Sequence, residues 1–257
     1  VGWYTDKACT IPITEIKPGI GGVTVLHELL KVLPHQDYLY YSDSINNPYG
    51  DKSSEELIKI VDDVVLYLID KGCEVIVIAC NTASSVCKDY LRKKYDIPFI
   101  AIEPAYKMVY DYAREKKTLV MATKATIESK HFLELYNKYD NHNTILCSCS
   151  GLADLIEDCN SEAIEEYLVS KIGKYRGVEN VVLGCTHYPL IKKEINSILG
   201  NVNFFDGSKG VSAETKRICI DKKILKSEGV GHVEFFDSSN DKTKEKLFFY
   251  LAYKEEI

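Results

Sequence analysis

Hydrophobic positions along the chain fall into two alternating patterns. Short apolar runs at 38–43 (YLYYSD), 75–79 (VIVIA), 98–102 (PFIAI), 118–123 (TLVMAT), 144–148 (TILCS), 180–184 (NVVLG) and 201–206 (NVNFFD) have the length and composition of buried strands. Between them lie longer segments with apolar residues at helical spacing. In 53–72, Leu57, Val61, Val64, Val65 and Leu68 share one face, Ser53 or Ser54 caps the start and Gly72 stops the end. Similar patterns predict helices over 83–94, 104–115, 161–173 and 189–199, and the tail at 246–253 (KLFFYLAY) is apolar enough to dock on the body. Alternation of this kind predicts an α/β fold of mostly parallel sheets flanked by helices.

The pattern also repeats at the scale of the half-chain. At 75–84 (VIVIACNTAS) and again at 182–190 (VLGCTHYPL), an apolar run ends in a small residue, a cysteine and polar residues before a predicted helix. Two lobes with a cleft between equivalent strand ends would bring Cys80 and Cys185 together. Parallel α/β sheets bind ligands at the carboxyl ends of their strands, where both cysteines fall.

Composition narrows the partners. With 46% hydrophobic and 27% charged residues, the 257-residue chain has the balance of a soluble globular protein, long enough for one large α/β domain or two of ordinary size. A net charge of -6 and the absence of a basic cluster argue against nucleic acid. No apolar run approaches the roughly 20 residues that span a bilayer, and no secretory signal is visible. Nine cysteines, too sparse for a disulfide framework, read as reduced cytoplasmic thiols. Cys147, Cys149 and Cys159 lack the paired spacing of structural zinc and read as buried or incidental thiols.

A cysteine preceding a helix faces unpaired N–H groups, so its pKa can fall from ~8.5 toward neutrality. Free N–H groups beside Asn81, Thr82 and Thr186 suit a carboxylate ligand. Two thiols facing one small acid could take a proton from carbon on one side and return one on the other, which is what inverting a stereocentre requires. His187 is placed to assist Cys185 or polarise a carboxylate. Either cysteine alone is equally well explained as a small buried hydrophobe, and His187 as a structural histidine. The matched pair is harder to explain that way.

These residues resemble the glutamate racemases of the cofactor-independent aspartate/glutamate racemase superfamily. IACNTASS at 78–85 and LGCTHYPL at 183–190 look like that family's two catalytic motifs, and NPYGDKS at 47–53 its substrate-binding segment. PGIGGVTVL at 18–26, ATKATIESKHF at 122–132, CSGLADLIED at 149–158 and FFDGS at 204–208 extend the likeness over nearly the whole chain. The resemblance implies two pseudo-symmetric lobes, 1–102 completed by 209–257 and 103–208, with the active site in the cleft. It implies Cys80 and Cys185 as opposed acid and base, and Glu157 orienting His187. Pro48, Tyr49 and Gly50 would line the pocket, while Asn81, Thr82, Thr123 and Thr186 would bind carboxylate or amino groups. Read from the residues alone, Tyr49 could be an aromatic in a turn, Thr123 a helix cap and Glu157 a solvated carboxylate. The activity implied is racemisation of glutamate for cell-wall precursor supply, in the cytoplasm, without metal or organic cofactor. The partner implied is a small amino acid or dicarboxylate; a homodimer is compatible with this reading.

One motif departs from the family. Asp-Ser-Gly-x-Gly-Gly is replaced by Lys17-Pro18-Gly19-Ile20-Gly21-Gly22, which keeps the glycines that allow close backbone approach and loses the carboxylate and hydroxyl. Lys17 and Pro18 would thus stand at the substrate site. A lysine there favours a nearby thiolate and repels an ammonium, by roughly 4 kcal/mol for unit charges about 4 Å apart at an effective dielectric of about 20. Glu15, two residues earlier on a strand, could replace the missing carboxylate or neutralise Lys17, or Lys17 could point to solvent. The competing expectations are an isomerase or decarboxylase of another small acid, a binding protein that has lost turnover, and a Cys-His hydrolase. The last leaves the second thiol unexplained.

Overall fold

A computed structural model describes residues 13–17, 19–140 and 142–253, with only the backbone described for 13–17 and Lys246. Among the described residues, nine strands form two sheets. The first sheet contains β1 (Ile13–Lys17), β2 (Tyr38–Ser42), β3 (Val75–Ile78), β4 (Phe99–Ala101) and β9 (Val233–Asp237), in the order β4-β3-β1-β2-β9. The second contains β5 (Thr118–Ala122), β6 (Thr144–Ser148), β7 (Asn180–Gly184) and β8 (Asn203–Phe205), in the order β6-β5-β7-β8. Every described strand pair is parallel. Parallel strands need crossover helices, which cover both faces of a sheet and explain why the strand runs are almost continuously apolar.

The helices are α1 (Val23–Val32), α2 (Ser54–Asp70), α3 (Asn81–Lys94), α4 (Tyr106–Ala113), α5 (Lys124–Glu128), α6 (Lys130–Tyr139), α7 (Leu152–Glu157), α8 (Ser161–Ile172), α9 (Lys192–Leu199), α10 (Ser208–Asp221) and α11 (Lys242–Ala252). In α2 the five apolar residues read from sequence are all buried, and Ser53 is the cap, its hydroxyl accepting the Glu56 N–H. The tail docks as expected: Phe248 is fully buried against Tyr40 and Phe235, with ring centroids 4.5 Å from each.

One helix differs from the sequence reading. Over 189–199, residues Tyr188–Ile191 form a 3₁₀ turn, and the α-helix starts only at Lys192. Pro189 supplies no N–H and is tolerated at the start of the turn, and Ile191 leaves helical geometry (φ -118°, ψ 28°) before α9 begins.

The chain passes from the first sheet to the second between β4 and β5 and returns after β8, and these passages touch. A Cβ built on Gly207 would lie 2.5 Å from the Glu103 carbonyl oxygen and 2.8 Å from Ile102 Cγ1. Backbone cannot yield as a flexible side chain can. Gly207→Ala is therefore expected to destabilise the fold by about 1–3 kcal/mol, read as a lower midpoint of thermal unfolding.

Candidate active site

Interior strands β3 and β7 run into the cleft between the sheets, and each delivers a cysteine just beyond its carboxyl end. Cys80 and Cys185 line one cavity of about 50 Å³. Their backbones are tied together. The Thr186 hydroxyl donates to the Ala79 carbonyl at 3.1 Å, joining the residue before Cys80 to the residue after Cys185. The Thr24 hydroxyl in turn donates to the Thr186 carbonyl at 3.1 Å, linking α1 to the same segment.

The two thiols are supported differently. Cys80 is the N-cap of the 14-residue α3, with its side chain unused in capping, so a thiolate there faces the N–H groups of the first turn. Cys185 precedes only the 3₁₀ turn, and its partner is instead His187, whose Nδ1 lies 3.5 Å from Sγ. His187 Nε2 lies 2.5 Å from Glu157 Oε1, and the same oxygen accepts the Ile20 N–H at 2.7 Å. An ionised carboxylate only accepts, so Nε2 carries the proton and Nδ1 is left to take one from the thiol. Glu157 ends α7, and its side chain is only 10% exposed.

Gly19 explains how Glu157 fits. It has φ 78°, and a Cβ on it would overlap the Glu157 carboxylate. The close approach expected at this glycine is that of the Glu157 side chain. Gly50 is under no comparable demand, because a Cβ there would lie 3.8 Å from Thr123, an ordinary contact.

Other candidates divide into wall and frame. Pro48, Tyr49, Gly50, Thr82 and Thr123 line the cavity. Tyr49 donates to Asp43 Oδ2 at 2.8 Å, and burial together with that carboxylate holds its hydroxyl well above the usual tyrosine range. Thr123 caps α5, as one of its two readings expects, and also meets the Thr82 hydroxyl at 3.1 Å. Thr186 and Asn81 are not on the wall. Thr186 spends its hydroxyl on Ala79, while Asn81 is 4% exposed with Oδ1 unpartnered. The side chains of Glu15 and Lys17, and the whole of Pro18, lie outside the described residues.

Sequence reasoning missed Asn47, Asp51, Cys149 and Asp154 on the wall. Asn47 and Asp51 flank the Pro48-Tyr49-Gly50 segment, and Asp154 precedes Glu157 by three residues on one helix face, a spacing that could have found it. Cys149, expected as a buried or incidental thiol, is fully buried. Its Sγ lies 3.7 Å from Cys147 Sγ and donates to it; that bond and burial raise the Cys149 thiol far above the ordinary range, leaving it a neutral wall. Cys87, behind Cys80, is pushed up to about 12 by burial and by Cys80. A larger cavity, about 590 Å³, is lined by Thr24, His27, Lys31, Phe204 and Lys209 among others, but holds no thiol. Among the described residues no group of three or more His, Cys, Asp or Glu is placed to hold a metal, and no helix is long and apolar enough to cross a membrane.

The sequence profile of the Asp/Glu/Hydantoin racemase family matches residues 33–210. The chain belongs to this family. Within it, a glutamate racemase of Clostridium botulinum is 41% identical over 238 residues, 90% of this chain and 93% of that one. A second, of Clostridium perfringens, is 39% identical over 92% of this chain and 94% of its own. Among solved racemases, the glutamate racemase of Francisella tularensis in complex with D-glutamate superposes with TM-score 0.81 at 26% identity, covering 97% of this chain and 96% of that one. A Bacillus anthracis glutamate racemase gives TM-score 0.84 at 26% identity over 95% of each chain. These racemases share the two-lobed α/β fold.

Proposed function

We propose that the protein interconverts L- and D-glutamate without a cofactor, using Cys80 and Cys185 as a two-faced acid/base pair. The observation that carries the reading is one cavity bearing both thiols, between strand ends joined by the Thr186–Ala79 hydrogen bond. In one direction a thiolate removes the α-proton and the opposite thiol donates to the other face; in reverse the roles exchange. At Cys185 the proton can pass to His187 Nδ1, the imidazolium being stabilised by Glu157. Thr82, Thr123 and the first-turn N–H groups of α3 receive a carboxylate, and the unpartnered Asn81 Oδ1 is available to an N–H of the substrate.

A cavity of about 50 Å³ holds a few water molecules, so it must widen to admit a five-carbon amino acid. The proposal includes the lobe boundaries near 102/103 and 208/209, at the two passages of the chain. It includes a cytoplasmic setting in which D-glutamate supplies peptidoglycan synthesis. A homodimer is part of the same reading.

The test is solvent exchange. In deuterated water the protein is expected to incorporate deuterium at the α-carbon of either glutamate enantiomer while optical activity decays to zero. Failure to exchange, at protein concentrations that would expose slow turnover, would falsify the reading.

A further inference from the structure

The described wall of the cavity has an unbalanced charge. Among the described residues its wall contains two aspartates, Asp51 and Asp154, and no lysine or arginine. Asp51 is exposed, where water screens it. Asp154 is half-buried, and among the described residues its carboxylate accepts one hydrogen bond, from the Asn47 amide at 3.4 Å, a long bond to a neutral donor. It lies on the face of α7 that also presents Glu157, whose carboxylate meets the Ile20 N–H where the chain leaves β1.

We propose that Asp154 is a substrate-binding residue whose carboxylate receives the α-ammonium group of the amino-acid substrate; this rests on the racemase reading above. Three observations support it. Asp154 lines the same small cavity as both thiols, so a ligand held between the thiols lies beside it. Among the described residues no cation pairs with it, leaving that half of an ion pair for the ligand. Burial, Asp51, Asp158 and Glu157 all raise its pKa, so the wall gains by receiving a positive charge.

The assignment also bears on the substrate class. A dicarboxylate without an amino group would meet Asp154 as a like charge, so selectivity for amino acids over such acids follows from this one residue.

Asp154→Asn keeps the size of the side chain and removes its charge. The KM for glutamate is expected to rise at least about tenfold, with a smaller change in kcat, while Asp154→Glu recovers part of the loss. Glutarate, which is glutamate without its ammonium group, separates binding from structure. Its inhibition constant is expected to stay within about twofold of wild type or to improve in Asp154→Asn. Equal losses for glutamate and glutarate would mean that Asp154 only shapes the wall, and an unchanged KM would mean that it does not bind the ammonium. Either overturns the proposal. So does Asp51→Asn producing the larger rise in KM. In these three cases wild-type exchange of deuterium leaves the racemase reading standing, whereas absence of exchange in the wild type removes both.

Discussion

Cys80→Ala and Cys185→Ala are each expected to lower racemisation by at least about a thousandfold, and to leave opposite residual activities. The size follows from the general acid–base term, about 10²–10⁴, lost from a reaction that needs a group on both faces of the carbon. Because enantiomers have equal free energies, the equilibrium constant is one, and kcat/KM must fall equally in both directions in either variant. The asymmetry appears elsewhere. A remaining thiolate can still remove the proton of the enantiomer that faces it and return a deuteron to the same side. Cys80→Ala should therefore wash deuterium into one enantiomer without inverting it, and Cys185→Ala into the other. The measurement is proton NMR of L- and D-glutamate incubated separately with each variant, beside polarimetry. Exchange into the same enantiomer by both variants would contradict opposed thiols.

That geometry was legible because strand ends are. The alternating pattern placed β3 and β7, and the cysteines just beyond them, since a buried parallel strand needs a continuous apolar run and must stop where polar chemistry begins. Strand β9 was not read, although Phe235 and Phe236 are both partly buried. As an edge strand it carries charge within its own five residues, Glu234 and Asp237 around Phe235 and Phe236, and so lacks a long apolar run. The site was less legible than the fold, for a physical reason. Spacing along one helix reveals that Asp154 and Glu157 share a face, but not that this face meets a turn more than 130 residues earlier at Ile20. Likewise Thr186 looks like a ligand group in the sequence, and only the fold shows its hydroxyl already given to Ala79. Gly19 was recognised as necessary, and the neighbour that makes it so lies on the other lobe's helix.

Glu157 and Gly19 provide the second large effect, because one carboxylate oxygen holds two groups from different parts of the chain. Glu157 Oε1 accepts from Ile20 N and from His187 Nε2, and His187 is 2% exposed, so neither donor has water as a ready substitute. Glu157→Ala is expected to cost about 1–3 kcal/mol in stability for the unsatisfied donors. Its kinetic effect should be larger: without the anion, the imidazolium that forms when His187 takes the Cys185 proton loses its counter-charge, and kcat should fall about a hundredfold. Glu157→Gln keeps an acceptor but not the charge and should lie between. Gly19→Ala should copy Glu157→Ala, since its Cβ would overlap the same carboxylate and its backbone (φ 78°, ψ -159°), a conformation essentially kept for glycine, adds about 1–3 kcal/mol of strain. If both act through His187, the double variant should be little worse than the worse single one, a non-additivity read in the unfolding midpoint and in kcat. A merely structural role would not choose between enantiomers. In Glu157→Gln, deuterium wash-in should slow chiefly for the enantiomer that Cys80→Ala still exchanges, because that is the one whose proton Cys185 takes; equal slowing for both would remove Glu157 from the support of Cys185.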